Sequence, residues 1–160
     1  MARILITGSN SGFGKLAALS LARQGHQVVA TMRNLEKGEA LRDAAAGENL
    51  AIEIRPLDVC DPASVIAAIA DPSELDVVVN NAGFEVSGAV EMVDDDLLAR
   101  QFDTNVAGPL RVVRAVLPAW RQRGHGTIVY VSSIAGVVGT PFGGVYAASK
   151  FGVRALTESL

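Results

Sequence analysis

The sequence contains very little cysteine: Cys60 is the only one among 160 residues. An intrachain disulfide is therefore impossible, and a fold stabilised by disulfide bonds is excluded. A reducing, cytoplasmic location is the natural expectation for such a chain. We interpret Cys60 itself as a small, buried or partly buried thiol.

An excess of positive charge is also missing. Lys and Arg total 14 against 17 Asp and Glu, a formal charge of −3. No basic field is therefore available for nucleic acid or an anionic membrane surface. The two histidines, His26 and His125, lie beside glycines in predicted loops, and we assign them no role. The acidic run at residues 94–96 is predicted to cap a helix, and no metal site is predicted.

Long hydrophobic runs are absent as well. The apolar segment at residues 4–6 ends at Thr7, which is too short for a signal peptide or a membrane span. What the chain does have is 49% hydrophobic and 19% charged residues. This composition predicts a soluble globular protein with one domain over residues 1–160.

Short apolar segments alternate with segments of helical periodicity. Five strands are predicted, at residues 3–7, 27–31, 50–54, 75–79 and 126–131. Five helices are predicted, at 15–24, 35–46, from 61, from 94 to about 123 with a bend at Pro118, and from 145. Such alternation predicts an α/β fold of the Rossmann type, with a doubly wound parallel sheet of strand order 3-2-1-4-5.

The predicted sheet lacks one strand. The dinucleotide-binding arrangement normally carries six strands, and five precede the end of the chain at Leu160. We therefore expect a truncated form without the C-terminal strands. Strand five, with Ile128 and its apolar neighbours, would then form an uncovered edge that favours aggregation.

A glycine-rich loop follows strand one, with Gly8, Gly12 and Gly14 at its turning points. Glycines allow the backbone to turn tightly and to approach a pyrophosphate, and the next helix offers free N–H groups at its positive end. The alternative is a tight strand-to-helix turn without a ligand. Phosphate-loop ATPases are excluded because Lys15 is followed by Leu16 rather than by serine or threonine.

Tyr146 and Lys150 are four residues apart in the last predicted helix. Side chains at this spacing project from one face and lie next to each other. A cation beside a phenol favours the phenolate, so Tyr146 is a candidate general acid or base.

These motifs together resemble the short-chain dehydrogenase/reductase family over the whole length from Arg3. The family's glycine motif is matched by Thr7, Gly8, Gly12 and Gly14. Its acid after strand three is matched by Asp58, and its Asn-Asn-Ala-Gly motif by residues 80–83. Its catalytic tetrad is matched by Asn105, Ser133, Tyr146 and Lys150.

The resemblance implies an oxidoreductase that exchanges hydride between a nicotinamide and a carbonyl or alcohol carbon. Tyr146 would act as the general acid or base, and Ser133 would hold the substrate oxygen. Lys150 would support the phenolate and contact the nicotinamide ribose, and Asn105 would hold a water in a proton relay to Lys150. Because side chains alternate along a strand, Ser132 is expected to point away from the substrate.

The resemblance also implies the cofactor-binding residues. They are Gly8, Asn10, Ser11, Gly12, Phe13, Gly14, Arg33, Asp58, Val59, Asn81, Ala82 and Gly83, together with Tyr146 and Lys150. Asp58 would accept a hydrogen bond from the adenine amino group. The alternative for Asp58 is a local turn-capping role.

The end of strand two distinguishes the two nicotinamide cofactors. NAD-binding members place an acid there for the ribose 2′-hydroxyl, whereas an arginine can accept the 2′-phosphate of NADP. Residues 30–34 contain no acid but include Arg33, and Ser11 could add a hydroxyl donor. We therefore predict NADP as the cofactor, with NAD as the alternative. The alternative for Arg33 is an exposed charge that binds no ligand.

The substrate is predicted less closely. Residues 131–136 and Pro141-Phe142 resemble family members that act on steroids, retinoids or other apolar alcohols and ketones. A dinucleotide-binding module or truncated fragment without turnover is the alternative. An epimerase or dehydratase is disfavoured by the glycine spacing. The resemblance also implies a homo-oligomer for the full-length protein.

Overall fold

The fold is described by a computed structural model that covers residues 1–160. Five strands form one sheet, with each neighbouring pair parallel and the order β3-β2-β1-β4-β5. The strands are β1 Arg3–Ile6, β2 Gln27–Met32, β3 Ile52–Pro56, β4 Val77–Asn80 and β5 Thr127–Tyr130. The predicted Rossmann-type sheet and its strand order are therefore confirmed.

The β3 and β4 strands each begin two residues later than predicted, because the preceding turns use the first amide groups. The Leu50 amide donates to the Ala45 carbonyl at 2.9 Å, so this residue closes the preceding helix instead of opening β3. The Leu75 amide closes a turn onto the Pro72 carbonyl at 3.4 Å, which delays β4 in the same way.

Six α-helices connect or follow the strands. They are α1 Gly12–Arg23, α2 Glu39–Gly47, α3 Pro62–Ile69, α4 Asp95–Phe102, α5 Gly108–Arg123 and α6 Gly144–Glu158. The Asp94 carboxylate accepts a hydrogen bond from the Leu97 amide at 2.7 Å, which confirms its predicted capping role. Asp61 caps α3 in a similar way through the Ala63 amide. Short 3₁₀ turns lie at Leu35–Gly38, Pro72–Glu74, Val90–Met92 and Ile134–Gly136.

The single long helix predicted for residues 94–123 is wrong in one respect. A π-helical turn, Asp103–Ala107, separates α4 from α5, and the Gly108 amide bonds to the Asp103 carbonyl. Pro109 has no N–H to donate to the Asn105 carbonyl four residues earlier, so one bond of the α-helical ladder is missing next to the wider turn. This absence does not by itself require a π-helical turn, because α5 continues through Pro118 without one.

The sheet is packed on both faces. On one face Leu5 and Val78 pack against α3 and α5 in a buried cluster that includes Val112 and Trp120. On the other face Ile4, Ile6 and other strand residues pack against α1 and α2. The alternation of inward-facing residues along β1 explains why successive side chains enter different cores.

The β5 strand pairs on one side only, with β4. Its side chains alternate between exposed and half-buried, and Val129 is 40% exposed. The expected apolar strand at the edge of the sheet is therefore present. None of the helices combines the length and the apolar character that crossing a membrane requires.

We predict that Gly126→Ala destabilises the fold by about 1–3 kcal/mol, because overpacking a rigid core costs this much. A methyl group at this position would overlap the Trp120 ring. That ring is only 4% exposed, and its indole N–H donates to the Leu75 carbonyl at 2.8 Å, so it cannot turn away. Urea-induced unfolding measures the change.

Gly139→Ala is the matched control, since an added methyl there has no atom within 4 Å. Equal stabilities for the two variants would contradict the proposed Trp120 overlap.

Candidate functional site

A cleft of about 830 Å³ opens at the carboxyl ends of the strands. Residues from seven parts of the chain line it. They come from the loop after β1, the end of β2, the segments after β3, β4 and β5, the region of α4 and the turn that follows it, and α6. Parallel strands end at the same edge of a sheet, so the loops that follow them meet there. The cleft therefore lies where sheet topology favours a ligand.

The loop after β1 turns through two glycines in the left-handed region, Gly8 with φ +71° and Gly12 with φ +54°. A side chain at Gly8 would come within 2.9 Å of the Ala82 Cα, and one at Gly14 would overlap the Gly8 carbonyl. The glycines at positions 8 and 14 therefore let three backbone segments pack directly on one another.

Hydrogen bonds connect this loop to the segment after β4. The Thr7 hydroxyl accepts from the backbone amides of Asn81 and Ala82, each at 3.0 Å. In return, the Asn81 side-chain amide donates to the Thr7 and Gly8 carbonyls, each at 2.9 Å. The two loops thus form one rigid wall of the cleft.

The N-terminus of α1 lies at this wall. Its N-cap residue, Ser11, makes no side-chain capping bond, and the first turn carries no acidic residue. The N–H groups and the positive end of the helix dipole are therefore not neutralised by the protein. Together with a loop that tolerates close backbone approach, this end of the cleft fits the pyrophosphate of a dinucleotide.

Asp58 and Cys60 lie side by side in another part of the cleft wall. The Asp58 carboxylate accepts from the Cys60 amide at 2.9 Å, which is the local turn contact that the sequence left as an alternative. Its second oxygen has no protein partner. The half-buried Cys60 thiol lies 3.3 Å from the Thr104 hydroxyl, and burial raises its pKa.

Arg33 follows β2 and lines the cleft with an exposed side chain that forms no ion pair. The next residue, Asn34, is occupied, because its side chain accepts from the Glu36 amide at 2.9 Å. Arg33 is therefore available for an anion at this end of the cleft.

Tyr146 and Lys150 meet in the cleft, with the Lys150 ammonium 5.7 Å from the centre of the Tyr146 ring. Lys150 is only 6% exposed and donates to the Val131 carbonyl at 2.8 Å. Burial lowers the pKa of Lys150 because it removes water from the ammonium group. The half-buried Tyr146 hydroxyl makes no hydrogen bond within the protein.

Ser133 lines the cleft with these two residues, and its hydroxyl accepts from the Ala135 amide at 3.2 Å. Ser132 also contributes to the cleft wall, and its hydroxyl lies close to the backbone of Gly136. The expectation that its side chain points away from the substrate stays a prediction.

Asn105 lies behind the cleft wall rather than in it, with 1% exposure. Its amide donates to the Phe84 carbonyl at 2.9 Å and to the Ser149 hydroxyl at 3.0 Å, and its oxygen accepts from the Phe84 amide at 3.1 Å. Both of its hydrogens are therefore committed to protein acceptors. The expected water relay from Asn105 to Lys150 stays a prediction.

Most of the predicted site residues line the cleft; Gly14 and Asn105 do not, and they pack behind it. Sequence reasoning missed several lining residues. They are Met32, Leu57, Cys60, Phe84, Glu85, Arg100, Asp103, Thr104, Val131 and Ser132. The rule that loops meet at the carboxyl ends of parallel strands could have found those next to β2, β3, β4 and β5. Nothing in the sequence marks the three residues from α4 and the π-helical turn.

Comparisons with known proteins agree with this geometry. The family model described as short chain dehydrogenase matches residues 2–160. Human retinol dehydrogenase 8 is 44% identical, over 98% of this chain and 52% of its own length. Human 17-beta-hydroxysteroid dehydrogenase type 1 is 41% identical, over 98% of this chain and 50% of its own length.

Solved structures show the same fold. The crystal structure of a gluconate 5-dehydrogenase from Burkholderia cenocepacia, in complex with NADP and tartrate, superposes with a TM-score of 0.90. It is 33% identical, and the match covers 99% of this chain and 64% of that chain.

The chain spans about half the length of the curated relatives that it matches. The matched half contains the glycine loop, the segment after β4 and the helix with Tyr146 and Lys150. The resemblance to steroid and retinol dehydrogenases predicted from the motifs is confirmed. The chain therefore belongs to the short-chain dehydrogenase/reductase family.

Proposed function

We propose that the protein is an NADP(H)-dependent oxidoreductase that exchanges hydride between a nicotinamide and a carbonyl or alcohol carbon. One observation carries this proposal: a single cleft joins the uncapped N-terminus of α1 with Ser133, Tyr146 and Lys150. An anion site and a proton-transfer group thus share one cavity, as the chemistry of a nicotinamide cofactor requires.

The residues that would hold the cofactor extend along the cleft. The α1 N-terminus and the Gly8 loop suit the pyrophosphate, and the free oxygen of Asp58 suits the adenine amino group. Lys150 is suited to the nicotinamide ribose. When bound, the nicotinamide would supply or accept the hydride.

Arg33 supports NADP over NAD. Its guanidinium carries a full positive charge and has no acidic partner in the protein, so it can bind the 2′-phosphate by charge-assisted hydrogen bonds. The gluconate 5-dehydrogenase structure, which holds NADP, adds support from a related protein.

Proton transfer would fall to Tyr146. Its hydroxyl has no partner in the protein and lies in the cleft beside a cation, so it can give a proton to a carbonyl oxygen or take one from an alcohol. Ser133 already accepts a backbone hydrogen bond, which leaves its hydroxyl hydrogen free to hold the same substrate oxygen.

The lysine is held in place for this role. The Val131 carbonyl accepts one of its hydrogens, which fixes the ammonium beside the ring and offsets part of the cost of its burial. A fixed cation near the phenol stabilises the phenolate that forms when the proton leaves.

An apolar substrate suits the exposed apolar side chains in the segment between Ser133 and Tyr146, and these side chains lie outside the cleft lining. Between these two residues lie Ile134, Val137, Val138 and Phe142, with exposed fractions of 73%, 61%, 49% and 67%. The Gly88 amide donates to the Phe142 carbonyl at 2.8 Å, which joins this segment to the loop after β4. The likeness to retinol and steroid dehydrogenases supports the same substrate class.

The first test is a fluorescence titration of the purified chain with NADPH and NADH, followed by assays of retinol and estradiol oxidation with NADP. NADPH-selective binding with turnover supports the proposal. Binding of NADPH without turnover favours a dinucleotide-binding module. Absence of binding by the folded chain contradicts the assigned cofactor site.

We predict that Arg33→Ala weakens NADPH binding by about tenfold or more and leaves NADH binding nearly unchanged. Hydrogen bonds to a charged group contribute about 1.5–3 kcal/mol, and 1.4 kcal/mol is a factor of ten. Fluorescence titration measures both affinities. Arg121→Ala, which removes an exposed arginine outside the cleft, is the control. An equal loss for the two cofactors would exclude the phosphate contact.

We predict that Tyr146→Phe lowers turnover by about 10²–10⁴-fold, the usual contribution of general acid–base catalysis, with NADPH affinity retained. Tyr130→Phe is the matched control, because it removes the other hydroxyl of the chain's two tyrosines. That hydroxyl is buried without a partner and lies outside the cleft. Turnover rates and NADPH titrations of both variants provide the measurement; full activity of Tyr146→Phe would remove the tyrosine from the mechanism.

A further inference from the structure

One buried hydroxyl lies between the π-helical turn and α6. Ser149 has 0% exposure and does not line the cleft. Its hydroxyl donates to the Tyr146 carbonyl at 2.7 Å and accepts from the Asn105 amide at 3.0 Å. The serine therefore uses its hydrogen to bond Tyr146 within α6 and its oxygen to bond Asn105 in the π-helical turn.

The Asn105 side chain extends this link to the loop after β4. It pairs with both backbone groups of Phe84, much as a neighbouring strand would. One turn earlier, Gln101 accepts from the Val86 amide at 2.9 Å and fixes the same loop. A continuous chain of hydrogen bonds thus runs from the loop through Asn105 and Ser149 to the backbone of Tyr146.

The two members of the Tyr146–Lys150 pair are held from different sides. The sheet holds Lys150, through the Val131 carbonyl at the end of β5. The π-helical turn holds Tyr146, because the Ser149 hydroxyl bonds to its carbonyl in addition to the amide expected four residues on in a helix. The relative placement of ring and ammonium therefore depends on both supports.

We propose that Ser149 is a positioning residue that sets the orientation of Tyr146 by linking it to Asn105 in the π-helical turn. The proposal rests on the function proposed above for Tyr146. Asn105 lies in the π-helical turn, and from there its side-chain amide reaches Ser149. A buried hydroxyl with two partners holds the first turn of α6 in a single arrangement.

The test uses Ser149→Ala, which removes both bonds and little volume. Thr157→Val is the matched control, since Thr157 also bonds back to a carbonyl of α6, that of Val153, at 2.9 Å. It lies roughly 16 Å farther along the helix than Tyr146. The readout is the nuclear magnetic resonance spectrum of ring-labelled tyrosine, with the Tyr130→Phe background identifying the Tyr146 signals.

We expect Ser149→Ala to shift and broaden the Tyr146 ring signals, with the control spectrum unchanged. Unaltered signals in Ser149→Ala, or an equal change in Thr157→Val, overturn the proposal. The unmutated chain provides a second measurement that does not depend on a variant folding. Both side-chain amide protons of Asn105 should exchange slowly with solvent, and fast exchange overturns the proposal as well.

Turnover gives a third readout. In the assay with retinol or estradiol, Ser149→Ala should lower kcat about tenfold, because small errors in placing a reacting group are costly, while the KM for NADP stays constant. A raised KM with unchanged kcat overturns the positioning role. If no variant binds NADPH or turns over, the proposed function fails, and the ring signals still decide the role of Ser149.

Discussion

The direct contact between the Gly8 backbone and Ala82 is the constraint on which the cleft depends. The β1 and β4 strands are neighbours, so the loops that leave them compete for the same space. Absence of a side chain at Gly8 lets the loops touch, and the Thr7 hydroxyl and the Asn81 amide then join them by four hydrogen bonds. This arrangement fixes the direction of α1 and aims its N-terminus into the cleft. Any side chain at Gly8 or Gly14 would force these segments apart.

Electrostatics in this protein are local. The chain has a net charge of −3, yet the groups facing the cleft ends include the positive end of α1, Arg33 and Lys150. A helix terminus and an isolated guanidinium act over short range, so no general basic surface is needed to attract a phosphate. Keeping Lys150 charged costs free energy, because the side chain is buried and burial lowers its pKa. The Val131 carbonyl compensates part of that cost and holds the ammonium group beside the Tyr146 ring.

The elements with strong local signals were predictable. Apolar runs found the five strands, and the capping residues Asp61 and Asp94 bond to helix N-termini as their positions indicated. The π-helical turn was missed because periodicity cannot distinguish a continuous helix from one with a single wider turn. Arg100 and Thr104 reach the cleft from α4 and the π-helical turn, and no sequence motif identifies them as cleft residues.

By itself, the sequence determined the alternation of strands and helices, the glycine loop and the pairing of Tyr146 with Lys150. These features depend on spacing along the chain and on the conformations that individual residues allow, so local patterns carry them. Tertiary structure alone decided that Asn105 lies behind the cleft, that Ser149 joins it to Tyr146, and that the Val131 carbonyl holds Lys150. The contact of Asn105 with Ser149 and that of Lys150 with Val131 join residues from different elements. Their geometry follows from how helices and strands pack, a property that no single segment of the sequence contains.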